Sequence, residues 1–353
     1  MPSLKILHLV RMWPHSGNPQ YGTFIQKHID AIGREGLEQS VLVLDNLDVH
    51  ETDHGIPVSS TSAPAGRTGW ERKFKEVLDL IETHGLPDIV HAHGVSADTA
   101  YIFLRLHMAH GHRVRRVVTE HGSQWIRGAN RGAKWSLRLA HARTAVSPYL
   151  ASIMSDVAST VCIPNIIEPA TAVRDTEYRG GRRFLNVSDW VDQTKGLTEL
   201  LSAWKQHSAQ HPDDVLTLIG DGEDREHIQS IISGLDRVSI PGAKTPIEVH
   251  HLMTEHDVLI VNSRLETFSM VIGEAIARGL HVISTPLPGP QSVYTDHPIE
   301  FRQGTTEHVE DLIQVMSRAP QGQSPVDLSE FKSSTIADQF IQCYQGLYHQ
   351  RKR

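Results

Sequence analysis

The sequence predicts an α/β protein made of two doubly wound, Rossmann-like parallel-sheet domains in tandem. Three observations carry this expectation. At 353 residues the chain is longer than one hydrophobic core usually organises. Short runs rich in Val, Ile and Leu alternate with longer amphipathic stretches, the pattern of parallel strands covered by helices on both faces. Midway the alternation breaks and then begins again.

In the first half, residues 6–10, 41–44, 89–92, 117–119, 144–146 and 161–163 read as strands. Between the first two, residues 21–34 place Phe24, Ile25, His28, Ile29 and Ile32 at helical spacing, and Phe74, Val77, Leu78 and Ile81 repeat that spacing further on. Such βαβα order implies right-handed crossovers, with a ligand crevice at the carboxyl ends of the strands. The pattern stops at Glu168-Pro169-Ala170, and the polar, Gly-containing stretch 175–182 is the linker candidate. Strands are then expected at 184–187, 215–219, 238–240, 258–261 and 282–284, with helices at 197–207 and 270–278. The expected domains are 1–167 and 168–331. A last helix, about 332–353, carries Ile336, Phe340, Tyr344 and Leu347 on one stripe and is expected to pack back on the first domain.

Composition narrows the function classes. Hydrophobic residues at 39% and charged residues at 21% suit a folded globular chain rather than a disordered one. A net charge of −7 argues against a general nucleic-acid binder, which needs a basic surface to displace counterions. No apolar run approaches the roughly 18 residues of a membrane span, and the first residues lack a signal-peptide core. A cytoplasmic protein is expected. The two cysteines, Cys162 and Cys343, form neither a redox motif nor a zinc-ligand cluster and are expected to be ordinary buried thiols. No His, Asp or Glu grouping has metal-ligand spacing along the sequence, so no metal site is expected.

One stretch departs from the average. Residues 101–150 hold eight arginines and one lysine against the single acid Glu120. Trp125, Arg127, Arg131, Lys134, Trp135, Arg138 and Arg143 surround a loop and an amphipathic helix there, a composition suited to an anionic membrane surface or an anionic acceptor. A solvated helix face balanced by acids from elsewhere explains the same residues.

The most informative stretch runs from Asn262 to Ala275, from a strand end into a helix, with Glu266 and Glu274 eight positions apart. A helix amino terminus presents unpaired N–H groups and the positive end of a dipole, and so suits an anionic or polyhydroxyl ligand. Glu266 and Glu274 can then accept bonds from two separate sets of hydroxyls. Taken alone, the pair is as consistent with solvated charges flanking a helix start. Lys195-Gly196 before a helix reads alone as a surface charge, and Gly22, in the first strand-to-helix turn, as a plain tight turn.

The sequence resembles the retaining GT-B glycosyltransferases of glycosyltransferase family 4. Glu266 and Glu274, then Ala275-Ile276-Ala277-Arg278-Gly279, then Pro288-Gly289-Pro290 match the family's signature in order. Asp88-Ile89-Val90-His91-Ala92-His93-Gly94, Val118-Thr119-Glu120-His121-Gly122, Val146-Ser147-Pro148-Tyr149, Ile163-Pro164-Asn165 and Leu218-Ile219-Gly220-Asp221-Gly222 resemble further elements of it. The resemblance implies two domains facing across a cleft. It implies that Glu266, His121 and Lys195 are the catalytic set, with Glu266 and His121 on the donor sugar and Lys195 on the departing diphosphate. Gly22, Phe268, Ser269, Met270, Glu274 and Gly242 are then donor-binding, Glu274 at the ribose. His93 is set aside as a residue that shapes the domain wall. The donor implied is a UDP-, GDP- or ADP-sugar, with no bound cofactor and no metal required. The acceptor is a glycan or lipid-linked molecule in surface-polysaccharide or glycolipid synthesis, with the enzyme peripheral at the inner face of the membrane.

Two departures from the family pattern stand out. Thr267 and Ser269 replace glycines of the commoner Glu-Gly-Phe-Gly form, and Ser188-Asp189 stands where relatives carry Gly-Arg. The second departure keeps a non-catalytic, sugar-nucleotide-binding scaffold among the alternatives, beside a GT-B epimerase or phosphorylase. A dehydrogenase is disfavoured because no Gly-x-Gly-x-x-Gly follows the first strand.

Overall fold

The computed structural model describes residues 4–49, 55–64, 66–174 and 180–351. The chain forms two compact units, 1–166 with 330–353 and 167–329.

The first unit is built on a wholly parallel sheet of seven strands: β1 Lys5–Val10, β2 Glu38–Val43, β3 Val58–Ser60, β4 Ile89–His93, β5 Arg115–Glu120, β6 Ala142–Ala145 and β7 Val161–Cys162. Their order across the sheet is β3-β2-β1-β4-β5-β6-β7. Every residue of β4 and β5 is buried, as expected for central strands covered on both faces. The edge strands β3 and β7 are only partly covered. Helix starts follow local side-chain chemistry. Ser96 accepts from the Thr99 amide and Ser147 from the Leu150 amide, the latter followed by Pro148. The helix Ser333–Arg351 belongs to this unit, and Ile336, Ala337, Phe340, Tyr344 and Leu347 pack with Leu4, Ile6, Ile32, Ile89 and Val117.

The second unit holds six parallel strands: β8 Arg183–Val187, β9 Val215–Ile219, β10 Val238–Gly242, β11 Val258–Val261, β12 His281–Ser284 and β13 Ile299–Phe301. Their order is β10-β9-β8-β11-β12-β13. Phe184, Trp190, Leu197, Leu201, Trp204, Leu216 and Ile260 lie in its core. Thr245 and Glu248 form a reciprocal capping box at the helix Pro246–Thr254.

In both parallel sheets the order of strands therefore reverses once, between β1 and β4 and between β8 and β11. At such a switch point the loops leaving the two central strands diverge and open a crevice at the strands' carboxyl ends.

One expectation needs correction. Of the linker proposed at 175–182, residues 175–179 lie outside the described residues, and residues 180–182 are built into the second unit. Arg182 pairs with Asp214 at 2.7 Å and donates to the carbonyls of Met316 and Ser317, while a side chain at Gly181 would collide with the Asp213 carbonyl. The thiols of Cys162 and Cys343 are free and half-buried, and burial pushes them up to about 12 and about 11. Neither has the lowered pKa of a reactive cysteine.

Candidate functional site

The switch point of the second unit carries the most chemistry. Beyond β8 the chain forms a short helix, Asp192–Lys195, and turns through Gly196 into the helix Leu197–Gln210. Gly196 is left-handed, at φ +57°. A methyl group there would lie 2.1 Å from Thr306 Cγ2 and 2.5 Å from the Asn262 carbonyl oxygen. The turn thus presses against the end of β11, and Asn262 locks it by donating to the Gly196 carbonyl at 2.8 Å. Asn262 in turn accepts from the buried Arg302 at 2.7 Å. This clamp delivers Lys195 Nζ to Glu266 Oε1 at 2.7 Å, and Ser263 Oγ donates to the same oxygen at 2.9 Å. Burial disfavours the lysine's charge, but Glu266 and Asp189 outweigh it and the pKa of Lys195 is raised.

The loop bearing Glu266 is held from the other side by the Gly-Pro segment. A methyl group at Gly289 would fall 2.4 Å from the Glu266 carbonyl oxygen, so Pro288–Val293 can seat there only with a glycine at that position. The loop enters the helix Met270–Ala277 through Ser269, which has φ +62° and ψ +77°. This explains the family's preference for glycine at that position, because a Cβ is disfavoured in the left-handed region. The Ser269 hydroxyl is buried and has no hydrogen-bond partner, an uncommon state for a buried polar group. The Ser269 carbonyl accepts from Tyr294 OH at 3.0 Å. Phe268 is 1% exposed, stacked edge-on near Tyr294, so only its backbone is available to a ligand. Glu274 is half-buried and lies 3.4 Å from His250 Nε2. Gly242 ends β10 at φ +80°, with open space where a side chain would be.

Ser188-Asp189 occupies the tip of β8. A methyl group at Gly220 would be 1.9 Å from the Ser188 carbonyl, and Gly222 is covered by the Trp190 backbone, which accounts for the two glycines of Gly220-Asp221-Gly222. Asp189 acts on Lys195 electrostatically. Where the family pattern has an arginine, this chain therefore adds a negative charge beside the lysine.

Sequence reasoning missed Ser263, Asn262, Arg302 and Tyr294 as parts of this arrangement. Asn262, Arg302 and Tyr294 act on residues 25 to 66 positions away, and Ser263, three positions before Glu266, belongs to no local pattern that announces its role.

In the first unit, Gly22 is the left-handed N-cap of the helix Thr23–Gly33, and a side chain there would strike the Met12 backbone at 2.4 Å. Close approach of the β1 loop thus explains this glycine. His121 follows β5 and is 5% exposed. Burial lowers its pKa to about 4, against the opposing effect of Asn165. Beside it, burial pushes the Glu120 carboxyl up to about 7, although the amides of Val95 and Gly122 both donate to it at 2.9 Å. His93, set aside in the sequence as a wall residue, contacts His121 directly at 3.2 Å.

The basic segment divides. Arg127, Arg131, Lys134, Trp135 and Arg138 are exposed, the last four on the helix Arg131–Leu139, with the Arg138 guanidinium 5.8 Å from the Trp135 ring centre. Trp135 is 55% exposed. Trp125, grouped with them in the sequence, is not on that face: it is buried, and its indole N–H donates to the Ile153 carbonyl at 3.1 Å. Arg143 also turns inward and donates to the carbonyls of Leu137 and Ala140, capping the end of the basic helix. Arg116 does the same for Leu139, and burial lowers its pKa to about 10. Part of the local positive excess is therefore spent on helix carbonyls, where cations are favourably placed.

Two units, each a parallel sheet with interleaved helices, give an α/β protein of the GT-B fold class. The profile described as "Glycosyltransferase Family 4" matches residues 22–171, and that described as "Glycosyl transferases group 1" matches residues 181–318. The chain belongs to this glycosyltransferase family.

Among curated relatives, the phosphatidylinositol N-acetylglucosaminyltransferase gpi3 subunit of Schizosaccharomyces pombe is 29% identical over 122 residues, 34% of this chain and 27% of that protein. A GDP-mannose-dependent alpha-mannosyltransferase of Mycobacterium tuberculosis is 34% identical over 82 residues, 23% of this chain and 21% of that protein. The matched stretches thus span about a quarter of the length of these relatives. Among solved structures, sucrose-phosphate synthase from Thermosynechococcus elongatus superposes with a TM-score of 0.77 at 17% identity, covering 98% of this chain and 99% of that one. Anabaena HepE, solved in complex with UDP and glucose, gives 0.70 at 18% identity, covering 99% and 95%. At these identities the structural likeness establishes the fold.

Proposed function

We propose that the chain transfers a hexosyl group from a nucleoside-diphosphate sugar to a glycan or lipid-linked acceptor, with retention of anomeric configuration. The observation that carries this reading is the Lys195–Glu266 pair, held by Gly196, Asn262 and Ser263 at the switch point of the second unit, beside the amino end of the helix Met270–Ala277.

In this reading Lys195 exchanges Glu266 for the diphosphate and offsets the charge that grows there as the C1–O bond breaks. Glu266, released from the lysine, accepts from hydroxyls of the sugar. Glu274 takes the ribose hydroxyls, and the amides of Phe268, Ser269 and Met270 face the diphosphate. The acceptor oxygen attacks C1 on the face the diphosphate leaves, and its proton passes to a diphosphate oxygen. Glu266 accepts from both Lys195 and Ser263 on one oxygen, an acceptor's place that suits it to hydroxyl binding rather than to acid catalysis of the glycosidase kind. No resident metal enters this scheme.

Incubation with UDP-, GDP- and ADP-sugars, read by thermal shift and by slow donor hydrolysis, tests the reading. Stabilisation by one donor class together with its slow turnover is expected. Binding without hydrolysis or transfer to any acceptor would make the chain a scaffold, and reversible epimerisation of the sugar would make it an epimerase.

The exposed cations of the helix Arg131–Leu139 around Trp135 support docking of the first unit on an anionic membrane at the inner face of the cell, where a lipid-linked acceptor would be met. Among the described residues no helix is long and apolar enough to cross a membrane, so contact of this kind would be peripheral. Co-sedimentation with anionic vesicles is expected to exceed that with neutral ones and to fall at least tenfold in the combined variant Arg131→Glu, Lys134→Glu, Arg138→Glu. Equal binding to both vesicle types would exclude an electrostatic dock.

A further inference from the structure

We propose that His250 is a positioning residue that holds the Glu274 carboxylate toward the ribose of the donor, so that the site selects ribonucleotides over their deoxy forms. The inference rests on the reading of Glu274 as the ribose group, and it lies wholly within the second unit.

Local structure aims His250 at Glu274. The helix Pro246–Thr254 starts in the capping box of Thr245 and Glu248, with Pro246 in its first turn, and this fixes where the helix begins. Val249 and Met253, one turn apart, are buried and set its inward face. His250 stands on the flank of that face and is 25% exposed, whereas His251 turns outward and pairs at 3.6 Å with Glu255, one turn on. Opposite, the helix Met270–Ala277 is fixed beside Glu274, because a methyl group at Gly273 would lie 2.1 Å from Ile167 Cδ1 and 3.0 Å from Tyr294 OH. The direction of the Glu274 carboxylate is then left to its side-chain torsions.

His250 Nε2 lies 3.4 Å from Glu274 Oε1, and it is a buried nitrogen without a hydrogen-bond partner. Buried polar groups are rarely left in that state. A carboxylate oxygen only accepts, so the ring proton belongs on Nε2, facing it. A swing of about half an ångström brings the pair to the ~2.8 Å of a charge-assisted hydrogen bond. Bonds that serve a ligand are commonly long before it arrives and tighten with it. The buried Arg278 acts on the same carboxylate through its charge, while one of its N–H groups donates to the Glu274 carbonyl at 2.8 Å. Charge draws the carboxylate without fixing its angle; a hydrogen bond fixes it.

With Oε1 tied to His250, Oε2 and a second lone pair of Oε1 are held toward the vicinal ribose hydroxyls. A site built this way penalises a missing hydroxyl, because a carboxylate held in place is then left facing a C–H group.

The test is calorimetric titration of the full chain with UDP, GDP and ADP and with their 2′-deoxy counterparts. For the diphosphate that binds, the unaltered chain is expected to prefer the ribose form about tenfold or more. His250→Leu should weaken binding of the ribose form about tenfold, the loss of one hydrogen bond to a charged group, and leave the deoxy form within twofold, so that the preference collapses. His250→Gln, whose amide nitrogen can stand near the place of Nε2, should keep most of the preference, and His251→Leu all of it. A loss shared equally by both forms, or no preference in the unaltered chain, would overturn the proposal. So would a full preference in His250→Leu beside its loss in Glu274→Gln, an outcome that leaves the ribose reading standing. No binding of any of the three diphosphates, or a preference untouched by Glu274→Gln, would remove the ribose reading and this inference with it. Should His250→Leu fail to fold, His250→Asn, whose amide is too short to reach Glu274, reads the same ratio.

Discussion

Lys195→Met is expected to lower the turnover of donor sugar about 100- to 1,000-fold while leaving the fold intact, the range seen when one preorganised stabiliser of developing charge is removed. The side chain is largely covered but ends in a site open to ligand, 20% exposed, and a methionine of similar length can lie along the same path. Glu266→Gln should reduce turnover to a similar degree, since an amide can still meet a sugar hydroxyl but no longer receives the lysine. Because the two side chains form one bonded unit at 2.7 Å, the double variant should lose much less than the product of the two single losses. Steady-state rates on the four proteins check this. Activity within twofold of the unaltered chain in Lys195→Met would remove the lysine from the mechanism, and strictly multiplicative losses would separate it from Glu266.

Gly196→Ala should be among the most destabilising single substitutions in the second unit. The added methyl meets the Asn262 carbonyl and Thr306 Cγ2 at 2.5 and 2.1 Å, and the carbonyl belongs to a loop tied by the buried Arg302. A cost of about 3 kcal/mol or more is expected for a clash that backbone cannot escape, with left-handed strain added to it. Hydrogen exchange should quicken in 183–219 and 258–284 and stay unchanged in 4–49, since each unit has its own core. Adding Thr306→Ala should restore the protection only in part, because the contact with Asn262 remains. Unchanged exchange throughout would mean that the turn is not under the constraint its geometry implies.

Much of the fold was legible because its central strands are apolar on both faces. Runs such as Val258–Val261 have no polar alternation to confuse them, and all four residues are buried. The edges were not legible. β3 reads Val-Ser-Ser and β13 Ile-Glu-Phe, each half-covered, and three residues of mixed polarity carry too little pattern to separate a strand from a loop.

The glutamates and Lys195 were singled out by the family resemblance, since alone each reads equally well as a charge at a helix start or on the surface. What holds them in place was not, since Asn262 and Arg302 act on segments 66 and 40 positions away and Ser263, three positions from Glu266, carries no signal of its own. The basic segment shows the reverse error. Charge counted along the chain does not reveal that Arg116 and Arg143 point at carbonyls, nor that the Trp125 indole is satisfied indoors. The contact of His93 with His121 was hidden most completely, because only the parallel register of β4 and β5 brings His93 and the residue before His121 to neighbouring strands.

The helix Ser333–Arg351 has a consequence for the order of assembly. It completes the core of the first unit, yet a ribosome makes it after the entire second unit, so strands β1 to β7 must wait with their apolar seat for Phe340 and Tyr344 unfilled. The second unit has no such debt and can fold while it emerges. The amino-terminal half is then the last part to reach its native core, and a nascent chain halted near residue 330 should be a chaperone client on that half alone.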